Sequence, residues 1–363
     1  MYPVCEDAHN AAEARGKGSM SPATRRAILV PILGLLLLFV WVYFALDPEQ
    51  IAEVSANGSW RLVVLATVCS FLSYLFICFA LLLIGRAMGL RRVPASTFMI
   101  VTFVSLTLNH IISLGVAGYS TRVLLLRRGG EAPGTVLAAS FLHSYLTTLV
   151  MVSLLPVGLG AIVFSATVPP AGTALLKVAT VMSTAAVIGM TIGLVSRRLR
   201  LAGLRFVERI ARLVPGDHGD GIAGALADLD MGLVTVGQFV RGRPLAALAP
   251  VGLTILDWIA VLASFWLCLE AVGQSVNAEV LIAGFAVGMN VGVVSLVPGG
   301  LGVQEGSQAT VLALFGVPFV TALLAAGLFR LTYFLIPFLV SLPLYYVVLR
   351  PLVPPDGDPA TAP

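Results

Sequence analysis

Residues 290–306 read Asn-Val-Gly-Val-Val-Ser-Leu-Val-Pro-Gly-Gly-Leu-Gly-Val-Gln-Glu-Gly. The run Pro298-Gly299-Gly300, reinforced by Gly302, breaks a helix, because proline removes a backbone donor and glycine tolerates conformations that other residues avoid. Apolar segments flank it at 279–297 and 306–317. Hydrocarbon offers no water to the freed backbone groups, so a break at membrane depth persists only where protein or a wet cavity covers it. With the carboxylate of Glu305 set directly behind it, the break reads as a site rather than a defect.

Composition places the chain in a membrane. Of 363 residues 58% are hydrophobic and 11% charged, against about 25% charged in a soluble domain. The expected fold class is all-α, a polytopic integral membrane protein. The net charge of +4 carries little weight, since the Arg groups sit in short loops beside apolar spans. No basic, aromatic-studded domain is present to bind nucleic acid. Cys5, Cys69, Cys78 and Cys268 show no CxxC or Cys/His spacing and read as apolar fillers. There is no HExxH, Walker or GxSxG sequence and no metal-ligand spacing. Neither a metal, a cofactor nor an enzymatic activity is therefore expected. Paired catalytic residues of an intramembrane hydrolase are not visible.

The domain organisation follows from the apolar runs. Residues 1–24 read as a disordered cytoplasmic tail, 25–350 as a single transmembrane domain, and 351–363 as a second disordered tail. The run Ala27–Leu46 is followed by Asp47-Pro48-Glu49 rather than a small-residue cleavage site, and reads as a retained helix, not a signal peptide. Further apolar segments lie near 60–84, 97–121, 136–165, 174–195, 244–269, 279–297, 306–317 and 318–349. Within 196–243, Phe206, Val207, Ile210, Leu213 and Val214 recur at helical spacing opposite Arg205, Arg209 and Arg212. This stretch reads as a cytoplasmic amphipathic helix, lying on anionic headgroups or packed as a linker on the bundle.

Basic residues flank cytoplasmic loops. Arg15, Lys17, Arg25 and Arg26 place the N-terminus inside, and the acidic Asp47, Glu49 and Glu53 outside. Arg86, Arg91 and Arg92 are then inside, and so must be Arg122, Arg127 and Arg128 unless 97–121 crosses the membrane. A re-entrant segment at 97–121 resolves the conflict. For Arg350 to finish inside, 279–317 must re-enter as well, from the outside. The expected architecture has about six full spans and two re-entrant broken-helix hairpins of opposite direction, with both termini cytoplasmic. An internal echo supports an inverted repeat: Asn109, Ser113, Leu114, Gly118 and Arg122 against Asn290, Ser295, Leu296, Gly302 and Glu305, then His143/Tyr145 against Arg330/Tyr333. Inverted repeats whose broken helices meet at the midplane are a transporter architecture.

A charge at the bilayer centre costs ~2.5–3.5 kcal/mol even on the lenient insertion scale. The polar residues inside apolar spans are thus the candidate site: Asn109, His110, Arg122, His143, Asp257, Asn290, Gln304, Glu305 and Arg330. Arg330 sits roughly 18 Å from the nearer end of its span at 1.5 Å per residue, too deep to snorkel. It needs a partner, with Glu305 and Asp257 the candidates, either as a buried pair that fixes packing or as a contact to substrate. Glu305 opens a half-helix, where it either caps free N–H groups or exchanges protons and binds an amine; the same helix end suits a phosphate headgroup. Asp257 lies in Ile-Leu-Asp-Trp-Ile, as an interhelical hydrogen bonder or a site residue. His110 and His143 fit packing roles or titration near neutral pH.

At these residues the chain resembles the flippase-like family named for the transmembrane domain of lysylphosphatidylglycerol synthases. The motif is Ser295-Leu-Val-Pro298-Gly299-Gly300-Leu301-Gly302-Val303-Gln304-Glu305, then Gly316-Val317-Pro318, then Leu328-Phe329-Arg330-Leu331-Thr332-Tyr333-Phe334. Asn109 and Gly118-x-x-x-Arg122 match the family's N-terminal pattern. Many members carry a proline where this chain reads Leu114-Gly115-Val116-Ala117, and an arginine where His143 falls. The resemblance covers roughly residues 27–349. It implies a lipid-handling protein of a bacterial-type inner membrane that translocates or binds a phospholipid, glycolipid or isoprenoid lipid. Glu305, Arg330, Asp257, Arg122, Asn290, Asn109 and Tyr333 would contact the substrate, and Pro298, Gly299, Gly300 and Gly302 would form the hinge. Full-length synthases add an aminoacyl transferase domain that has no counterpart in residues 1–363, so lysyl transfer is not expected. The alternative is a non-transporting accessory subunit of a separate lipid- or glycan-modifying enzyme. An intramembrane enzyme and a small-solute carrier are further alternatives. Membrane lipids are the expected partners.

Overall fold

The computed structural model describes residues 58–111, 116–164, 170–196, 198, 242, 244–295 and 297–346. The expected first helix at 27–46, both tails and nearly all of the amphipathic segment lie outside them. Every element among the described residues is helical: α1 Trp60–Ala87, α2 Ala95–Ile111, α3 Val116–Arg128, α4 Pro133–Phe164, α5 Pro170–Val195, α6 Pro244–Ala271, α7 Ala278–Val294, α8 Val303–Leu314, α9 Phe319–Arg330 and α10 Ile336–Leu344. A 3-10 turn, Pro298–Gly300, separates α7 from α8, and a π-helical turn, Leu331–Leu335, joins α9 to α10.

Among the described residues, four helical runs are long and apolar enough to cross a membrane: Trp60–Ala87, Pro133–Phe164, Leu248–Ala271 and Phe319–Leu344. Ala95–Asn109, Leu176–Ile192 and Ala278–Val294 are apolar but shorter. The chain is a multi-pass membrane protein. Along α1, Val64, Leu65, Val68, Leu72, Leu75, Phe79 and Leu83 face outward, the surface that hydrocarbon covers.

Lipid tails are as apolar as leucine, so helices in a bilayer associate through close packing of small residues and interhelical hydrogen bonds. Both devices organise this bundle. The helices α1 and α6 run antiparallel, with Ser59 N–H donating to the Ala271 carbonyl (3.0 Å) and the Ser70 and Ser264 hydroxyls bonded at 2.9 Å. Against α7, α4 approaches so closely at Gly158 that a Cβ there would lie 2.6 Å from the backbone nitrogen of Ala283.

The segment at 97–121 falls on two short helices rather than one span. The α2–α3 pair is an antiparallel hairpin clamped at its base. Glu131 accepts the backbone N–H of Arg92 (2.6 Å) and of Val93 (3.0 Å), and the Arg92 guanidinium donates to the Gly130 carbonyl (2.7 Å). Gly130, at φ 85, ends α3 in a Schellman turn that a side chain would strain. Near the tip, Gly118 N–H donates to Asn109 Oδ1 (2.8 Å), and the Ser105 carbonyl leaves no room for a Cβ at Gly118. The clamp brings the exposed Arg91 and Arg92 to the same end of the hairpin as the exposed Arg127 and Arg128, as the charge pattern requires.

If both ends of this hairpin face one side of the membrane, Arg91→Cys and Arg127→Cys, each in a chain lacking its native cysteines, label with an impermeant maleimide from that same side. Labelling from opposite sides would show that α2–α3 crosses.

Candidate functional site

The second hairpin is built on a glycine seam. Gly284, Gly288 and Gly292 recur every four residues, on one face of α7. They meet Leu312, Gln308 and Gln304 of α8 in antiparallel register, and a Cβ on Gly288 would collide with Gln308. Beyond α7 the chain turns through Gly299 (φ 62), Gly300 (φ 64) and Gly302 (φ 77), the left-handed region open to glycine. The turn folds onto Gly292, so a Cβ on Gly300 would sit 3.2 Å from its Cα.

Glu305 is the third residue of α8. Its Oε2 accepts the backbone N–H of Gly302 at 2.8 Å, the reach-back half of a capping box. Its Oε1 accepts Arg330 Nε in a buried ion pair. Arg330 Nη2 donates to Gln304 Oε1 at 2.9 Å, and the guanidinium lies 4.2 Å over the Phe334 ring, a cation–π contact. Gln304 Nε2 in turn lies 3.1 Å from Met289 Sδ. Glu305 is 1% and Arg330 4% exposed, so the charges are spent on each other inside the protein. Of the two partners the sequence left open for Arg330, the structure selects Glu305. Glu305 both caps its helix and holds the ion pair.

Arg330 ends α9 where the backbone widens into the π turn. Such turns recur at functional sites. Around it stands an aromatic wall: Phe329 stacks on Tyr333 (5.3 Å) and meets Phe265 (5.4 Å) and Phe285 (6.0 Å) edge-on.

Asp257 belongs to an adjoining network. It is buried and accepts the Ser73 hydroxyl at 2.5 Å. Ser73 also bonds the Tyr333 side chain, and Tyr74 donates to the Tyr333 carbonyl at 3.1 Å. Asp257 and Tyr333 therefore come together through a serine of α1. Arg122 lies apart, on α3, buried and donating from Nη1 to Ser140 of α4 at 2.8 Å. His143 is buried on the same α4 face. The asparagines hold backbone: Asn109 closes the first hairpin, and Asn290 Nδ2 donates to Ala286 (2.8 Å) and reaches the Met151 carbonyl (3.5 Å). The echoing asparagines thus do different work. The side chains of His110 and Pro298 lie outside the described residues.

Sequence reasoning passed over Gln308 and Ser73. Gln308 was findable, because Gly284-x-x-x-Gly288-x-x-x-Gly292 is a small-residue packing motif and its facing residue must be buried. Ser73 carried no signal, lying 184 residues from its partner Asp257.

Residues 28–341 match the family model described as the lysylphosphatidylglycerol synthase TM region, and the chain belongs to that family. Comparison with curated proteins gave no match.

Removing one partner of a buried pair leaves an uncompensated charge and costs about 3–5 kcal/mol. Glu305→Gln and Arg330→Met are each expected to destabilise by that order, while the double substitution loses less than the sum. Thermal unfolding in detergent measures this cycle, and additive losses would refute the coupling. Gly158→Ala, against rigid backbone, is expected to cost about 1–3 kcal/mol by overpacking.

Proposed function

We propose that this member of the family binds an amphipathic membrane lipid and carries its headgroup between leaflets. The observation that carries the reading is the buried Glu305–Arg330–Gln304 cluster at a glycine-built helix break between apolar helices. Charge is costly at such a place and is retained where a polar group must pass or dock. Family membership supports a lipid-related role.

The mechanism uses the two hairpins as opposed re-entrant elements. The helices of the first have 17 and 13 residues, roughly 25 and 20 Å long at 1.5 Å per residue, and neither spans a core of about 30 Å. In the second, the Glu305–Arg330 pair closes the passage. A headgroup phosphate competes with Glu305 for the Arg330 guanidinium and opens it, while Asp257, Arg122, Asn109, Asn290 and Tyr333 line the route. Acyl or isoprenoid chains stay in the hydrocarbon alongside. Chemistry on the lipid forms no part of this reading.

A second reading, a non-transporting subunit that scaffolds a lipid- or glycan-modifying enzyme, draws on the same pair. Groups satisfied by each other also fit a purely architectural role.

Leaflet exchange of labelled phospholipid in proteoliposomes separates the two. The translocation reading expects exchange by the wild type and a fall of at least about tenfold, ~1.4 kcal/mol in barrier, in Glu305→Gln and Arg330→Ala proteins that still elute as folded. Full activity in both folded variants would refute the site. No exchange of anionic, zwitterionic or isoprenoid lipids by the wild type would favour the scaffold.

A further inference from the structure

Gln308 carries a buried amide with no partner at either end. The residue is 0% exposed, and neither Nε2 nor Oε1 has a hydrogen-bond partner. An amide left so in a dry interior is less favourable than an apolar side chain of its size. It points into the glycine seam, since a Cβ on Gly288 would lie 2.1 Å from its Cγ and 3.0 Å from its Cδ. One turn earlier on α8, Gln304 covers Gly292 in the same manner. There the amide is engaged at both ends, accepting from Arg330 Nη2 at 2.9 Å and lying 3.1 Å from Met289 Sδ.

Both faces of the seam repeat every four residues: Gly284, Gly288 and Gly292 of α7 oppose Leu312, Gln308 and Gln304 of α8. A slide of α8 by four residues, about 6 Å, therefore meets the same glycine steps. Toward the N-terminus of α8, the slide sets Gln308 on Gly292, Leu312 on Gly288 and Gly316 on Gly284. Gln308 then stands where Gln304 stood, beside Arg330, and Ala309 stands where Glu305 stood. The opposite slide offers Arg330 only Gly300 and Leu301, neither with a side-chain acceptor. Glycines at positive φ joint both ends of α8, Gly300 and Gly302 before it and Gly316 after it. One-turn ratchets of packed elements are an established kind of switching motion.

We infer that Gln308 is the second-state partner of Arg330: α8 slides one turn toward its own N-terminus, the Gln308 carboxamide takes over from Gln304, and Ala309 replaces Glu305 beside the guanidinium. In the register seen here a carboxylate closes the cation. In the shifted register the cation keeps an amide and is open to an anion. Gln308 is thus a positioning residue, holding Arg330 while the carboxylate is withdrawn, and its unpartnered amide belongs to the register it waits in. The inference deepens the proposed passage by supplying its gate. It rests on that reading only for what the opened Arg330 receives, because the slide is a property of α7 and α8.

Disulfide trapping reads the register. Val287 of α7 and Val311 of α8 pack on one cluster, and the slide sets Val311 against the exposed Val291. The pairs Val287→Cys/Val311→Cys and Val291→Cys/Val311→Cys are oxidised in phosphatidylglycerol vesicles, each in a full chain lacking Cys5, Cys69, Cys78 and Cys268. The first pair should dominate. Glu305→Gln, which releases the latch, should raise the second by about fivefold or more, and adding Gln308→Leu should return it to its starting level. Gln308→Leu alone should raise the unfolding midpoint by about 2–4 °C, since it removes an unpartnered buried amide, and should slow leaflet exchange. A second-pair yield that ignores Glu305→Gln, or that persists with Gln308→Leu, would overturn the slide. So would a midpoint lowered by Gln308→Leu, the mark of an amide that holds the present register. If Glu305→Gln does not fold, the second pair in the otherwise wild-type chain decides: trapping lost with Gln308→Leu supports the slide, and trapping absent or unchanged overturns it. Gln308-dependent trapping without leaflet exchange by the wild type would retire translocation and leave the slide standing. Exchange at the wild-type rate in folded Gln308→Leu would retire this gate alone.

Discussion

The two oxygens of Glu305 serve two different elements, and the second half of the structure hangs on that division. Oε2 answers a backbone N–H freed at the start of α8, and Oε1 anchors the guanidinium of Arg330 on α9. Helix starts leave backbone donors unsatisfied, and in a medium without water those donors must find protein partners. A cation held in the same low-dielectric setting is tolerable only with close, well-oriented partners. One carboxylate meets both demands and thereby fixes the helix break to the span that follows it. Gln304 and the Phe334 ring complete the surroundings of the cation.

The glycines make that geometry reachable. Three of them on α7 let α8 lie against it at backbone distance, which brings Gln304 and Gln308 into the seam. Three more, at positive φ, reverse the chain within five residues of the proline. Without hydrophobic gain between helices in lipid, close approach of this kind supplies much of the attraction. The same economy appears at Gly118 in the first hairpin and at Gly158 between α4 and α7.

The two hairpins resemble each other in plan and differ in how their charges are settled. Each is two short helices folded back antiparallel, with an ionised side chain in the second helix bonded to the long helix that follows: Arg122 to Ser140, and Glu305 to Arg330. In the second the charges cancel. In the first, the hydroxyl of Ser140 answers one nitrogen of a full cation. The local echo between the halves is therefore one of layout, and the side-chain chemistry is not mirrored.

Much of this was legible in the order of residues. Composition requires a membrane, Pro298-Gly299-Gly300 requires a break, and the sign of the flanking charges requires that Arg91, Arg92, Arg127 and Arg128 share one end, as the Glu131 clamp arranges. These are local or compositional constraints: they act within a helix or a loop, and residue order states them directly. What tertiary structure alone decided was which distant groups meet. Arg330 had two eligible carboxylates, and the register of α8 against α9 gave it Glu305. Asp257 went to Ser73, on a helix far away in sequence. Arg122 received a serine. Pairing depends on the relative depth and rotation of whole helices, set by close contacts at Gly118, Gly158 and Gly288, and no single segment contains that information.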